Sequence, residues 1–213
     1  LEVSGIPILA RTIAVYDGHP LIDSIVVTVP ESDQSYCQKN IIEKFRFGKV
    51  RSVAPGGATR QASVFNGLKW CVDSEIVAIH DGVRPFVSSN VISSAIGCAR
   101  EMGACLAALP VTETVKKKVG RSLETIPRDG LWLARTPQVF QTRLIMRAHE
   151  LAVERNIEVT DDASLMEFLG HEVGIIEDNF YNLKITSRDD MNVAELIARA
   201  PEFAFSSGTG APD

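Results

Sequence analysis

The chain has 213 residues, of which 45% are hydrophobic and 23% charged, and its formal net charge is -5. This length suits one domain with a substantial core, and the composition is that of an ordinary globular protein. The negative charge offers no basic surface for a nucleic acid, so an anionic ligand must be bound by a few placed Lys and Arg residues. The four cysteines form neither a CxxC pair nor a zinc-type cluster, and no signal peptide or membrane-spanning apolar run is present. We therefore expect free thiols, a cytosolic location and no membrane binding.

Helix-like and strand-like segments alternate through the first part of the chain. Pro7 follows a turn and opens a helical pattern, and the β-branched segment 24–30 predicts a strand. A second helix should open at Ser32 or Asp33 and lead to a short strand at 50–53. This alternation is typical of α/β proteins.

A glycine-rich turn, Ala54–Ser63, runs into a helix that carries Val64, Leu68 and Cys71. Glycines let a backbone approach a ligand closely, and a helix N-terminus presents free N–H groups to anions or to polar base edges. A plain strand-to-helix turn would have the same local sequence. The sequence of this segment fits a ligand-binding turn and a plain strand-to-helix turn equally well.

The segment 76–80 is a nearly unbroken apolar run that is followed directly by Asp81, Gly82 and Arg84. It predicts a buried parallel strand, and open α/β sheets bind ligands at the carboxyl ends of such strands. Asp81 could hold Mg²⁺, because this ion usually takes one or two carboxylates and completes its shell with water and phosphates. Arg84 could bind phosphate. The alternative is a turn cap at Asp81 that pairs with Arg84 on the surface.

The middle of the chain predicts a helix, a strand and then an exposed hairpin. Ser88 or Ser89 should cap the helix, and the small-residue segment 104–110 should form the strand. Apolar and polar residues then alternate over 111–128 about Gly120, which predicts an antiparallel hairpin. A hairpin of that length is only marginally stable alone, so it should pack on another surface, which in a homodimer is the other subunit.

The last part of the chain predicts further strands and helices. Thr160 and the acids after it have the chemistry of a helix N-cap, strands are expected at 172–177 and 180–186, and Ser187 should begin the last long helix. Residues 201–213 are expected to form a flexible tail. Together the elements predict an α/β fold, a Rossmann-like, mostly parallel sheet with helices on both faces and a protruding β-arm.

Five motifs in a fixed order then point to a family. They are Ile79–Phe86, Pro127–Trp132, Arg135–Gln138, Thr160–Ser164 and Asn182–Thr186. From Leu1 to about Ala200 the chain resembles the 2-C-methyl-D-erythritol 4-phosphate cytidylyltransferases of the non-mevalonate isoprenoid pathway. The resemblance implies one nucleotidyltransferase-type domain at 1–200 with a β-arm at about 110–135. It also implies transfer of a cytidylyl group from CTP to 2-C-methyl-D-erythritol 4-phosphate, with release of pyrophosphate, in a homodimer that uses Mg²⁺.

The resemblance assigns roles to individual residues. Those implied to bind the nucleotide are Gly57, Ala58, Ser63, Asp81 and Gly82. Those implied to line the sugar-phosphate pocket or the transferring phosphate are Arg84, Thr136, Thr160 and Lys184. Asp81 would also hold the metal, and Asp81, Arg84 and Lys184 would be catalytic. Thr114 and Arg128 would reach from the β-arm to the substrate of the neighbouring subunit.

Three alternatives stay open. The resemblance begins just after three features of the family: its first strand, its Gly-rich loop with an arginine, and a Pro-Lys-Gln segment. Since the chain opens with Leu1 rather than Met, we expect this front part to have been cut from the sequence. The alternative is that the chain is a degenerate relative of the family. A pentitol-phosphate cytidylyltransferase, acting for example on ribitol 5-phosphate, shares the loop around Asp81, although Arg128 with Gly130–Trp132 favours methylerythritol phosphate. The alternative from a different functional class is a nucleotide-binding module without catalytic activity.

Overall fold

The computed structural model describes residues 1–205 and contains a mixed four-stranded sheet flanked by helices. The strands are β1 (Glu2–Val3), β2 (Ile6–Pro7), β3 (Ile25–Val29), β4 (Val50–Pro55), β5 (Ile76–Ile79), β6 (Ala104–Pro110), β7 (Val115–Val119), β8 (Ser122–Ile126), β9 (Trp132–Gln141) and β10 (Gly174–Glu177). The helices are α1 (Ile8–Asp17), α2 (Gln34–Cys37, continued by a π-helix at Gln38–Glu43), α3 (Arg60–Leu68), α4 (Ser89–Met102), α5 (Thr142–Arg155), α6 (Ala163–Phe168) and α7 (Arg188–Ile197). No helix among residues 1–205 is long and apolar enough to cross a bilayer.

The four-stranded sheet has the order β10-β6-β9-β5. Strand β10 pairs parallel to β6, and β9 pairs antiparallel to both β6 and β5. Strands β5, β6 and β10 therefore run in one direction and β9 in the other. Strands β3 and β4 form a separate parallel pair. The predicted α/β fold with a mostly parallel sheet is confirmed, with β9 as its reversed strand.

Side chains of β6 alternate between two cores, as the period of a strand requires. Leu106 packs in a cluster with Ile145 of α5, whereas Cys105 and Ala107 pack in a cluster with Ile92 of α4. Helices thus cover both faces of the sheet. Because β6 is buried on both sides, its sequence is a continuous run of small apolar residues rather than an alternating one.

One local prediction for the last part of the chain is wrong, and the N-cap prediction holds for an acid but not for Thr160. Segment 180–186 is not a strand; Asn182 is fully buried and its amide group donates to Thr136 O and Asp178 Oδ2, so buried side-chain hydrogen bonds take the place of a ladder. Thr160 does not cap α6. Asp161 Oδ1 accepts from Ser164 N at 3.1 Å instead. Ser187 does begin α7, where its side chain accepts from Asp190 N.

The ordered chain continues beyond residue 200, where the flexible tail was expected to begin. Pro201–Phe203 form a short 3-10 turn. The Phe203 ring lies 5.5 Å from the ring of Phe86, which is buried beneath it, and 5.2 Å from the ring of Tyr181. This aromatic contact explains why the turn stays against the domain. The rest of the predicted tail, 206–213, lies outside the described residues.

Strands β7 and β8 form the predicted hairpin about Gly120, which has a φ of 60°. Most of the arm is exposed, and its base is apolar. Large exposed apolar side chains on the arm and at its base are Val119, Leu123, Leu131, Trp132 and Leu133. Apolar groups gathered in this way on a monomer are typical of an interaction surface. A second subunit on this surface stays a prediction.

Candidate active site

A cleft of about 230 Å³ opens where β5 ends and the Asp81 loop begins. The sequence-predicted residues that line it are Asp81, Arg84, Thr136, Thr160 and Lys184. They come from four separate stretches of the chain, which the fold brings to one edge of the sheet. Strand β9 supplies Thr136 and the segment after β10 supplies Lys184. The position at the end of a sheet strand is the one at which α/β proteins bind their ligands.

Asp81 is surrounded by cations. Its Oδ2 lies 3.1 Å from Lys184 Nζ and 3.4 Å from Arg84 Nε, and its Oδ1 lies 3.4 Å from Arg60 Nε. Burial raises the pKa of this carboxyl, but the hydrogen bond and charge of Lys184, together with Arg60 and Arg84, outweigh burial and hold the pKa below its ordinary value. Asp81 is therefore an anion at neutral pH, in a cleft whose cations can bind phosphate.

The loop that carries Asp81 is fixed by four hydrogen bonds. Arg84 N donates to Asp81 O at 3.0 Å and closes a turn, and Thr12 of α1 donates from its hydroxyl to Gly82 O at 2.9 Å. His80 Nε2 lies 3.0 Å from Arg84 O, and since a carbonyl only accepts, this nitrogen carries the proton. Asp81 N also donates to Thr136 Oγ1 at 3.1 Å. The loop thus presents Asp81 to the cleft in one orientation.

Burial lowers the pKa of His80 to about 4, so the ring is neutral in the folded protein. An unfolded histidine has a pKa near 6.5, so between these two values the unfolded chain binds a proton that the folded chain does not. The free energy of unfolding therefore decreases as the pH is lowered through that window. We expect acidification from pH 7 to 4.5 to cost about 2 to 3 kcal/mol through this group. Urea unfolding at the two pH values should show a smaller loss for His80→Gln, whose amide still donates to Arg84 O. Equal losses in both proteins would contradict the assignment.

Arg84 also connects the Asp81 loop to the segment that carries Lys184. Its guanidinium is largely buried, and Nη1 donates to Asn182 O at 2.8 Å, two residues before Lys184. Arg135 Nη1 donates to the same carbonyl at 3.1 Å. These bonds explain how an irregular segment keeps Lys184 within 3.1 Å of Asp81.

Of the glycine-rich turn at the start of α3, Arg60 lines the cleft, whereas Gly57, Ala58 and Ser63 lie outside its lining. Gly57 N donates to Ser63 Oγ at 2.9 Å. A Cβ on Gly57 would lie 2.4 Å from Ala62 Cβ, so only glycine fits at this close approach. Ala58 is exposed next to it. The turn therefore leaves polar groups and an open surface near the helix N-terminus.

Thr114 and Arg128 do not reach the cleft of their own chain. Thr114 lies just before β7, and Arg128, just after β8, donates from Nη1 to Thr112 O. Both are exposed. Their position on the arm is consistent with a role toward another subunit, which stays a prediction.

Sequence reasoning missed half of the cleft lining. The additional residues are Arg60, Ala134, Arg135, Gln138 and Asp161. Buried Gln138 donates to Asp161 Oδ2 at 2.7 Å and accepts from the backbone N–H of Asp162 at 3.0 Å, so it organises the loop before α6. Arg135 and Gln138 belong to the Arg135–Gln138 motif, so the sequence did contain a signal for them. Arg60 had the weaker signal of a cation in the first turn after a glycine-rich loop.

Comparison with known proteins places the chain in a family. Residues 1–200 match the model of IspD, 2-C-methyl-D-erythritol 4-phosphate cytidylyltransferase. The chain is 42% identical over 205 residues to a protein of that name from Geotalea uraniireducens, and these residues span 94% of this chain and 88% of the relative. A second such protein, from Geobacter metallireducens, is 42% identical over 204 residues, 93% of this chain and 88% of the relative.

Solved structures agree with this match. The crystal structure of 4-diphosphocytidyl-2C-methyl-D-erythritol synthase from Anaerococcus prevotii has a TM-score of 0.84 at 32% identity, covering 93% of this chain and 88% of that one. The crystal structure of 2-C-methyl-D-erythritol 4-phosphate cytidylyltransferase from Thermus thermophilus has a TM-score of 0.79 at 31% identity, covering 94% and 92%. With its cation-rich cleft at a strand end, the chain belongs to the 2-C-methyl-D-erythritol 4-phosphate cytidylyltransferase family.

Proposed function

We propose that this protein transfers a cytidylyl group from CTP to 2-C-methyl-D-erythritol 4-phosphate and releases pyrophosphate. The observation that carries the proposal is the cleft in which Arg60, Arg84 and Lys184 surround the Asp81 carboxylate, in a chain that belongs to the family. Cations gathered around one ionised acid suit a polyanionic substrate pair.

The chemistry needs positioning more than covalent help. A phosphate oxygen of the polyol phosphate attacks the α-phosphorus of CTP, a P–O bond forms, and the opposite bond to pyrophosphate breaks. Negative charge grows on the non-bridging and leaving oxygens. Lys184 is 42% exposed in its side chain, so its ammonium can contact a bound phosphate as well as Asp81. We assign catalysis to Lys184, Asp81 and Arg84.

We further propose that Asp81 holds Mg²⁺ together with the triphosphate. No group of three His, Cys, Asp or Glu residues suited to a metal occurs within residues 1–205, so the protein alone would not enclose the ion. That donor set fits Mg²⁺, which commonly uses one or two carboxylates plus substrate phosphates and water. When bound, the ion would supply charge neutralisation at the phosphates.

The binding of base and sugar phosphate is assigned in the same way. Gly57, Ala58 and Ser63 are proposed to surround the cytosine, because the turn they form is open and rich in backbone polar groups. Gly82, next to Asp81, completes the nucleotide site. The two threonines of the cleft lining, Thr136 and Thr160, are proposed to bind the polyol phosphate.

We propose a homodimer in which the β-arm of one subunit serves the other. Thr114 and Arg128 would then bind the polyol phosphate of the partner, and the exposed apolar base of the arm, including Leu131 and Trp132, would be covered. Burial of apolar surface in this way stabilises a dimer by roughly 25 cal/mol per Å².

We also propose a cytosolic location, because all four cysteines are free thiols.

Mixed dimers test the shared site. Arg128→Ala and Asp81→Ala each inactivate both sites of their own homodimer, but a hybrid dimer has one site with neither change. After subunit exchange of an equal mixture, we expect about a quarter of wild-type activity, since half the dimers are hybrids with one intact site each. Size-exclusion chromatography must show exchange of a tagged subunit. If exchange occurs and activity stays at the level of the separate variants, the arm does not serve a neighbour.

Product analysis tests the proposed reaction. Purified protein is incubated with CTP and Mg²⁺ and with either 2-C-methyl-D-erythritol 4-phosphate or ribitol 5-phosphate, and the cytidylyl product is measured by mass spectrometry. We expect the methylerythritol product to form with at least about a hundredfold higher kcat/KM, because Arg128 and the cleft hydroxyls select by hydrogen bonding. A preference for ribitol 5-phosphate would mean that the protein is a pentitol-phosphate cytidylyltransferase. The absence of product from both polyol phosphates would mean that it is a nucleotide-binding relative without catalytic activity.

A further inference from the structure

Arg60 joins the Asp81 carboxylate of the cleft to the buried carboxylate of Asp162, and no motif assigned a role to this residue. It is the first residue of α3, a helix whose start is fixed by the Thr59 side chain. Its Nη1 lies 2.8 Å from Asp162 Oδ2 and its Nε lies 3.4 Å from Asp81 Oδ1. A planar guanidinium can hold two acids at once in this way, whereas the single ammonium of a lysine cannot reproduce the geometry.

The Asp162 end is the firmer anchor. The Asp162 side chain is 1% exposed, and its Oδ1 lies 3.1 Å from Nε2 of His149, which is equally buried. The His149 ring stacks on Phe65 of α3, with centroids 5.5 Å apart and planes 3° from parallel. Because a buried carboxylate needs partners to offset its desolvation, the Asp162 contact with Arg60 is held by the core itself.

The Asp81 end is the one that faces the cleft. Lys184 and Arg84 both contact Asp81 Oδ2, whereas within residues 1–205 Arg60 is the side chain that contacts Oδ1. Lys184 is partly exposed and free to turn toward a phosphate. The orientation of the Asp81 carboxylate therefore depends on the guanidinium that Asp162 holds in place.

We propose that Arg60 is a positioning residue for the reaction: anchored by Asp162 and His149, it fixes the carboxylate plane of Asp81 toward the metal and triphosphate. The inference rests on the proposed function of the cleft. Groups that orient a metal-binding side chain from behind typically change metal affinity or activity by about 10 to 100-fold when they are removed. Arg60 occupies that place on the Oδ1 side of Asp81.

A purely structural role would give a different pattern. If Arg60 served only to neutralise buried Asp162, then Arg60→Gln would leave an uncompensated charge, and the double variant Arg60→Gln/Asp162→Asn would remove that charge and restore activity. If Arg60 positions Asp81, the double variant stays impaired even where its thermal stability recovers. The two roles are thus separated by a coupled pair of substitutions.

The experiment compares Arg60→Gln, Arg60→Lys and the double variant with Arg147→Gln. Arg147 is a matched control because it also bridges two acids, Glu150 at 3.3 Å and Glu154 at 3.8 Å, but on the exposed side of α5. Measurements are kcat and KM for CTP, the midpoint of thermal unfolding, and the affinity for Mn²⁺ in the presence of CTP, followed by the electron paramagnetic resonance signal of free Mn²⁺.

We expect Arg60→Gln to lower kcat and Mn²⁺ affinity by about tenfold or more with a smaller change in KM, Arg60→Lys to recover part of each, and Arg147→Gln to match wild type. The double variant should remain at the level of Arg60→Gln. Recovery of the double variant to wild-type kcat, or unchanged kcat and Mn²⁺ affinity in Arg60→Gln, would overturn the inference. The Mn²⁺ measurement stands apart from turnover, so a wild-type protein that forms no product refutes the proposed reaction while the Arg60 comparison still gives its own answer.

Discussion

Lys184→Ala should lower kcat by about two orders of magnitude while it weakens CTP binding by less than about fivefold. The ammonium lies 3.1 Å from Asp81 Oδ2, and its side chain is partly exposed at the cleft, so it can follow charge as the α-phosphorus becomes pentavalent. An interaction that strengthens only in the transition state contributes to turnover rather than to affinity. The measurement is steady-state turnover combined with calorimetric titration of CTP.

Lys39→Ala is the control for Lys184→Ala, because Lys39 is an exposed lysine of the π-helix after α2, and it should leave both quantities unchanged. A Lys184→Arg variant should recover only part of the activity, since a planar guanidinium replaces a compact charge. Equal small losses in kcat and in CTP affinity for Lys184→Ala would remove Lys184 from the mechanism and leave it as an exposed ion-pair partner.

The apolar run before Asp81 shows what a sequence can predict about such a site. The run at Ile76–Ile79 signals a buried strand, and the polar residues that follow it must emerge at the sheet edge, so the position of Asp81 could be predicted from local pattern alone. Lys184 could not be placed in this way. Its segment was predicted as a strand, and only the family resemblance joined it to Asp81, which is 103 residues away by number.

Arg60 and Asp162 show why the rest escaped prediction. They are separated by 102 residues, and their contact is made by the packing of α3 against the loop before α6. Local pattern gives Asp162 the character of a cap and Arg60 that of a solvated helix residue. Asp162 is desolvated, and so needs Arg60 as a partner, only once α5 brings His149 against its carboxylate.

The direction of strand β9 also escaped prediction from the sequence. Residues 136–140 of β9 are buried in the middle of the sheet, yet the sequence did not specify that this strand runs against its neighbours. Strand direction depends on the connections and on long-range pairing rather than on the residues of the strand itself. The mostly parallel character of the sheet was predicted, and the reversed strand that carries Thr136 into the cleft was not.

Asp81→Asn should have the largest effect of any single change in the cleft, lowering kcat by about three orders of magnitude at low Mg²⁺. The substitution keeps the shape of the side chain but removes the anion that Lys184, Arg60 and Arg84 hold ionised. A neutral amide is a poor ligand for Mg²⁺, and the three cations would repel one another without the acid between them. We expect the Mg²⁺ concentration for half-maximal activity to rise by at least about tenfold.

The Mg²⁺ titration distinguishes a metal ligand from an acid that only holds the cleft together. Asp73→Asn, at an exposed acid between α3 and β5, is the control and should titrate as wild type does. If Asp81 served only to gather the three cations, Asp81→Asn would lower activity to the same extent at every Mg²⁺ concentration, because the loss would come from misplaced Lys184 and Arg84. A loss that shrinks as Mg²⁺ rises requires the carboxylate itself in the metal's coordination, since mass action restores only a site whose affinity was weakened.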